Sequence, residues 1–273
     1  MPAIEDINDI LHIVQSKLSP EVASFAPMMV SFAQFFNSNY NKSAASAISI
    51  RDTLAWVMFV NQFAGADITT AKAAIVHGAA MTYIDSLGAN PAAMLAIAGA
   101  DVKAERQRCL KELSRLLETD AAGIYNEPIE VTRSEACFSV GPFSIPVYHA
   151  PQSIEFSFAA PTTKNNAMRV ARALQLDKPI LLEGNPGVGK TALISAMARE
   201  TGMPLTRINL SEQTDLMDLF GSDAPAEDEQ VGHFKWRDAG FLRAMKKGQW
   251  VVSFSLVGSL SSSSNISGSF WMR

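Results

Sequence analysis

The first part of the chain, from about Ile4 to Leu117, carries apolar residues at intervals of three and four positions. This spacing places them on one face of an α-helix, where they can be buried against a neighbouring element. One helix is predicted to end at Ser19-Pro20. The segment that follows, Val22 to Phe36, has a stripe of aromatic and methionine side chains that is typical of a packed core. We therefore expect an all-α domain over residues 1–118.

Capping residues mark where two further helices of this domain begin. Ser49, with Asp52 three residues later, resembles a capping box, although Asp replaces the Glu or Gln that this motif prefers. Asp67 is predicted to begin a helix that runs toward Leu87, and the sequence Gly88-Ala89-Asn90-Pro91 ends it. The starts and breaks therefore agree with the spacing of the apolar positions.

The pattern changes near Thr119, after which polar and apolar residues alternate. Glu130 to Thr132, Cys137 to Val140 and Phe143 to Tyr148 have this alternation, and the Gly-Pro pair between the last two predicts the turn of a β-hairpin. We place this hairpin in a linker over residues 119–160. Residues 161–177 return to a helical pattern.

Short apolar runs separated by helical segments follow, a pattern that favours parallel β-strands joined by crossover helices. We therefore expect a domain of α/β type over residues 161–252. Its three predicted strands are Ile180–Leu182, Leu205–Leu210 and Trp250–Val252.

The last segment, residues 253–273, is rich in serine and almost uncharged. Such a composition is typical of low-complexity sequence, which buries too little apolar surface to form a core. We expect a Ser-rich, divergent tail that does not continue the α/β domain.

The composition excludes several classes of function. The chain has 273 residues, 48% hydrophobic and 18% charged, and a formal net charge of −4. This charge gives no overall attraction to nucleic acids or anionic membranes, and we find no direct nucleic-acid-binding motif. The longest apolar stretch, Ala92 to Ala100, is too short to cross a bilayer. Cys109 and Cys137 lack metal-ligand spacing, so we expect reduced thiols in an intracellular protein without a signal peptide.

The clearest chemical signal lies between the first predicted strand and the next helix. Gly184, Gly189, Lys190 and Thr191 match the pattern G-x-x-x-x-G-K-[ST]. Glycines let the backbone turn so that successive N–H groups point at phosphate oxygens, and the positive N-terminal end of the helix adds to the site. We expect Lys190 to reach the β- and γ-phosphates and the Thr191 hydroxyl to ligate Mg²⁺. The residues expected to bind ATP are Gly184, Asn185, Pro186, Gly187, Val188, Gly189, Lys190, Thr191 and Ala192.

Hydrolysis requires acidic residues that the sequence does not supply where they are expected. A P-loop ATPase holds Mg²⁺ with an acid at the end of a neighbouring strand. The strand that begins at Trp250 continues as Ser253-Phe254-Ser255, and no Asp or Glu follows Asp238. We therefore assign no catalytic residue. The upstream acids are predicted to lie on a solvated helix face: Glu212, Asp215 and Asp218.

The segments around the phosphate loop resemble the midasin family of dynein-related AAA+ ATPases, which act in assembly of the large ribosomal subunit. The resemblance extends over residues 161–252 and is far longer than the phosphate loop. The stretches that carry it are Lys178–Thr191, Arg207–Asp223 and Gly232–Val252.

This resemblance implies the large subdomain of an AAA+ α/β P-loop NTPase, incomplete and preceded by an all-α, lid-like domain. Ser49 to Trp56 resembles the start of the lid helix that carries the sensor-2 arginine. The lid would then belong to a preceding AAA+ module, and Arg51 would face a nucleotide whose phosphate loop lies outside this chain. The alternative for Arg51 is an ordinary surface charge at a helix start.

The same resemblance implies an ATP-binding part of a ring ATPase that remodels pre-60S ribosomal particles in the nucleolus and nucleoplasm. Its implied partners are ATP, neighbouring AAA+ modules of the same ring and the pre-60S particle, with no membrane. The alternative is a non-catalytic helical interaction segment without useful affinity for nucleotides.

The sequence departs from the family after Val252. The family pattern places Leu-Asp-Glu, with the Walker B acids, where Ser253, Phe254 and Ser255 stand. Sensor 1, the arginine finger and this module's own lid are not recognisable. We therefore expect a truncated chain that binds ATP with Mg²⁺ and hydrolyses it poorly or not at all.

Overall fold

The computed structural model of the chain describes residues 6–40, 50–65, 67–88, 101–150, 155–182, 187–211, 213–225, 234–256 and 266–271. The chain forms two compact units, Met1–Pro128 and Ile129–Arg273. The first is all-α over its described residues, and the second contains all the described strands.

The first unit is a set of helices around one hydrophobic core. A single 3-10 turn, Ala23–Phe25, precedes the second helix, and a π-helical turn, Ala80–Ile84, extends the fourth. The helices are α1 Ile7–Lys17, α2 Ala26–Tyr40, α3 Ile50–Phe63, α4 Ile68–Ala79, α5 Val102–Leu117 and α6 Ala121–Tyr125.

Aspartates satisfy the first N–H groups of several of these helices. The Asp67 carboxylate accepts hydrogen bonds from the N–H groups of Thr69 (3.1 Å) and Thr70 (3.2 Å), so Asp67 is the predicted N-cap of α4. Asp6 and Asp101 cap α1 and α5 in the same way. Ser49, half of the predicted capping box of α3, lies outside the described residues.

Trp56 is the centre of the helical core. Its side chain is fully buried, and its ring makes edge-to-face contacts with Phe32 (5.8 Å between centroids) and Tyr83 (5.7 Å). The indole N–H donates a 3.0 Å hydrogen bond to the carbonyl oxygen of Ile75, which satisfies its one polar atom. Gly78 makes room for this ring, since a Cβ there would lie 2.8 Å from Trp56 Nε1 and 3.1 Å from Phe59 Cδ1.

The two cysteines are free thiols in different surroundings. Cys109 is buried in the helical core beside the Tyr40 hydroxyl, and burial raises the pKa of its thiol to about 11. Cys137 lies at the start of a strand, where hydrogen bonds with Ser134 and then Ser139 lower its thiol pKa.

The second unit begins with a small antiparallel sheet of strand order β1-β2-β3. The predicted hairpin is present, with Val140 paired to Phe143 across the Gly-Pro turn, and the segment predicted around Glu130 to Thr132 forms β1, which pairs with β2. The sheet packs against helix α7, Pro161–Ala173. Its strands are β1 Val131–Arg133, β2 Cys137–Val140 and β3 Phe143–Pro146.

The main sheet has the strand order β4-β9-β8-β5. β5 pairs parallel to β8, whereas β9 pairs antiparallel to both β8 and β4. Because β9 is antiparallel to both β4 and β8, these two strands are parallel to each other. β5 is parallel to β8, so β4, β5 and β8 all run in the same direction. The strands are β4 Ile180–Leu182, β5 Leu205–Leu210, β8 Trp250–Leu256 and β9 Ile266–Trp271, and the helix between β4 and β5 is α8, Lys190–Glu200.

The serine-rich segment differs from the sequence-based expectation. Residues 253–256 continue strand β8, and residues 266–271 form a strand inside the main sheet. The expected loose tail therefore supplies part of the sheet. Ser253 to Leu256 alternate polar and apolar residues as a strand does, whereas Ser267-Gly268-Ser269 in the middle of β9 gives only a weak strand signal.

The remaining elements lie between β5 and β8. A two-stranded antiparallel ribbon pairs β6, Gly221–Pro225, with β7, Phe234–Asp238. Helix α9, Leu216–Phe220, precedes the ribbon. Helix α10, Gly240–Lys246, follows it and packs against β5 and β8.

Candidate nucleotide-binding site

The predicted phosphate loop follows the last residue of β4. Because β4, β5 and β8 run in the same direction, this loop emerges at the edge where their carboxyl ends meet, which is where open α/β sheets bind ligands. Of the predicted site, Gly184, Asn185 and Pro186 lie outside the described residues. The rest, residues 187–192, lead into and begin α8.

Two glycines give the described part of the loop its shape. Gly187 and Gly189 have φ angles of +78° and +83°, in the left-handed region that side chains with a Cβ disfavour. A Cβ at either position would meet nothing within 4 Å, so the space beside this backbone is open. Gly187, Val188 and Gly189 are all exposed. An anion can therefore approach these N–H groups closely.

Helix α8 presents its N-terminus at the same place. Gly189 is its N-cap and no side chain caps the helix there, while Lys190 and Thr191 form the first turn and are half-buried. The first N–H groups of a helix and its dipole favour a negative charge. The conformation of residues 187–191 is therefore compatible with an anion at this helix end, and the first turn carries a lysine and a hydroxyl group, as the sequence pattern predicts.

The other end of α8 is closed by a Schellman motif. The Met203 N–H donates to the carbonyl oxygen of Ala198 (2.8 Å), and the Gly202 N–H donates to that of Arg199 (3.2 Å). Gly202 has a φ of +65°, the left-handed conformation that this motif requires. The pattern Thr-Gly-Met-Pro after a helix is the sequence signal for such an end.

The segment just after β3 is hydrogen-bonded to the C-terminal end of α8. The Tyr148 N–H donates to the carbonyl oxygen of Thr201 (2.8 Å), and Gly202 approaches the His149 backbone so closely that a Cβ would lie 2.6 Å from the His149 carbonyl carbon. Arg133 on β1 forms an ion pair with Glu200 (3.8 Å). The small sheet therefore holds the helix whose first turn forms the phosphate loop. Sequence reasoning missed these residues because each pair lies more than 50 positions apart in the chain.

The acidic residues upstream of β7 have structural partners. Asp215 caps α9 by accepting from the Asp218 N–H (2.9 Å), and the Asp218 carboxylate accepts from the Asp215 N–H (3.1 Å). This reciprocal capping box agrees with their predicted place on a solvated helix, while Glu212 lies outside the described residues. In the part of the chain that the structure describes, no group of three or more His, Cys, Asp or Glu is arranged to hold a metal.

Arg51 belongs to the other unit. It is exposed in the first turn of α3, one residue after the helix begins at Ile50. An exposed arginine at a helix start is compatible both with a sensor-like role toward another chain segment and with a plain surface charge.

Comparison with known proteins decides the family. A model described as "Midasin AAA+ ATPase lid domain" matches residues 6–85, and one described as "AAA domain (dynein-related subfamily)" matches residues 179–253. Midasin of Dictyostelium discoideum is 35% identical over 270 residues, which cover 92% of this chain. The chain belongs to the midasin family. Midasin of Giardia intestinalis is 56% identical over 97 residues, 36% of this chain.

The midasin family assignment confirms the predicted fold class, an AAA+ α/β unit preceded by a helical, lid-like unit. The chain spans 4% of the length of the Dictyostelium midasin and 2% of that from Giardia. No helix among the described residues is both long and apolar enough to cross a membrane.

Proposed function

We propose that this midasin-family chain binds ATP with Mg²⁺ at residues 184–192. The observation that carries the proposal is the pair of exposed, positive-φ glycines, Gly187 and Gly189, beside open space at the N-terminus of an 11-residue helix. Backbone N–H groups of this loop and of Ala192 hold phosphate oxygens, Lys190 neutralises the β- and γ-phosphates, and the Thr191 hydroxyl ligates Mg²⁺. Gly184, Asn185 and Pro186 complete the loop in sequence.

We further propose that the bound ATP is hydrolysed poorly or not at all. The carboxyl end of β8, where an acid would hold Mg²⁺ and orient water, consists of Ser253-Phe254-Ser255-Leu256. Asp215 and Asp218 are engaged in capping α9. A bound Mg²⁺ would neutralise phosphate charge, but the described chain supplies no carboxylate beside it on β8 to activate water.

The midasin relatives are far longer than this chain, which supports a proposal about a larger assembly. We propose that residues 1–118 are the lid of a preceding AAA+ module, 119–160 a linker with the small sheet, 161–252 the start of the next module, and 253–273 a divergent segment. Arg51 then acts as a sensor-2-like arginine toward the nucleotide of the preceding module. Neighbouring modules and pre-60S particles are the proposed partners, in the nucleolus and nucleoplasm.

Loss of the Lys190 ammonium tests the binding proposal. We expect Lys190→Ala to weaken binding of a fluorescent ATP analogue by at least about tenfold, because a charge-assisted hydrogen bond to phosphate contributes roughly 1.5–3 kcal/mol. Lys247→Ala is the matched control, since Lys247 is an exposed lysine at the end of α10. Titration by fluorescence anisotropy with Mg²⁺ measures all three proteins.

Two results would count against the proposal. Equal affinity of the wild type and Lys190→Ala would place the nucleotide elsewhere. No measurable affinity in the wild type would favour the alternative, a helical interaction segment without nucleotide binding.

A further inference from the structure

Strand β9 lies between the strand that carries the phosphate loop and the rest of the main sheet. Its residues 268–270 pair with all three residues of β4: Gly268 with Leu182, Ser269 with Leu181 and Phe270 with Ile180. Its other side pairs with β8 from Val251–Trp271 through Leu256–Ile266. β9 is thus a central strand, bonded on both sides.

β4 depends on β9 for its place in the sheet. Within the described chain, β9 is the only strand to which β4 is hydrogen-bonded. Neighbouring strands lie about 4.8 Å apart, so without β9 a gap of one strand would separate β4 from β8. The backbone polar groups facing that gap would lose their partners, which is costly wherever water does not replace them.

The length of the connection explains the reversed direction of β9. Only residues 257–265 join β8 to β9. A parallel neighbour requires a crossover of a dozen or more residues, whereas an antiparallel neighbour requires only a hairpin connection. A strand that follows β8 so closely in the sequence can therefore fill the gap only by running antiparallel to β8.

We propose that strand β9, residues 266–271, is a built-in arm that pairs with β8, closes the main sheet and holds β4, and with it the phosphate loop, in its binding position. The divergent segment is then a working part of this chain. Its effect on nucleotide affinity rests on the proposed ATP site, whereas its effect on the sheet does not.

A proline in β9 tests the arm in the full-length chain. Ser269 is paired with Leu181 on one side and Ser253 on the other, and proline is excluded from central strands because it lacks the N–H and its ring disrupts the ladder. We expect Ser269→Pro to speed amide hydrogen exchange in a peptide covering Ile180–Leu182 by at least about tenfold. It should also weaken binding of the ATP analogue at least about fivefold with Lys190 intact.

Ser262→Pro is the matched control, because it makes the same change in the connection between the two strands. It should leave both exchange and affinity at the wild-type level. Amide hydrogen exchange of peptides from α5 shows whether the helical unit remains folded in these variants. Unchanged exchange of the β4 peptide in Ser269→Pro would overturn the proposal. Faster exchange together with no nucleotide binding by the wild type would uphold the arm and reject the ATP site.

Cross-linking tests the register without relying on a destabilised variant. Leu181→Cys with Ser269→Cys places two thiols on directly paired residues, within the distance that a disulfide spans. Mild oxidation should link this pair at least about tenfold faster than the out-of-register pair Leu181→Cys with Ser267→Cys. Equal rates for the two pairs would contradict the placement of β9.

Discussion

Trp56→Ala is expected to lower the free energy of unfolding of the helical unit by about 3–5 kcal/mol, the range for removal of a large aromatic side chain from a core. The substitution removes the edge-to-face contacts with Phe32 and Tyr83 and leaves the Ile75 carbonyl without the indole donor. Hydrogen exchange of α4 peptides measures the effect within this unit, and urea unfolding followed by circular dichroism measures it in the whole chain.

Met58→Ala on the same helix is the control. Met58 is 46% exposed, so its truncation should change stability by no more than about 0.5 kcal/mol. If the two variants were equally stable, the helical core would not be centred on Trp56.

Gly202→Ala is expected to destabilise the second unit by roughly 2–4 kcal/mol through two separate costs. Alanine disfavours the left-handed φ of +65°, and its Cβ would lie 2.6 Å from the carbonyl carbon and 2.8 Å from the nitrogen of His149. The atoms in the way belong to the His149 backbone, so the clash cannot be relieved by a change of side-chain rotamer. Relief of the clash must therefore separate the 148–149 segment from the end of α8, and peptides covering Tyr148 should lose protection in hydrogen exchange.

Gly248→Ala isolates the conformational cost. Gly248 has a similar φ of +61°, and a Cβ there would meet nothing within 4 Å. We expect a loss of only about 1 kcal/mol, which is the penalty of the backbone conformation alone. Equal losses of stability in Gly202→Ala and Gly248→Ala would show that the close contact with the His149 backbone adds nothing to the cost of the backbone conformation.

Most of the fold follows from local patterns in the sequence. The apolar spacing of α1 to α4, the Asp67 cap and the short apolar run of β4 each act within a few residues, so the sequence predicts them directly. The phosphate loop is predictable for the same reason, since its glycines and lysine are neighbours in the chain. The described glycines, Gly187 and Gly189, adopt the left-handed conformation that the pattern requires.

The features that sequence reasoning missed depend on contacts between distant positions. Nothing near Gly202 indicates that the His149 backbone packs against it. Strand β9 is another example, because the Ser267-Gly268-Ser269 run in its middle has a weak strand preference, and β9 gains its hydrogen bonds from strands that begin at Ile180 and Trp250. Tertiary pairing outweighs weak local preference at such positions.

Single-turnover phosphate release shows whether this chain, as proposed, holds ATP without cleaving it. Protein in excess over ATP, with Mg²⁺ and at a concentration at which anisotropy shows the nucleotide bound, is followed with a phosphate sensor. We expect binding to be lost in Lys190→Ala and phosphate release by the wild type to be no faster than release by this variant. Phosphate release by the wild type that disappears in Lys190→Ala would contradict the account, because catalysis would then proceed at this site without an acid at the end of β8.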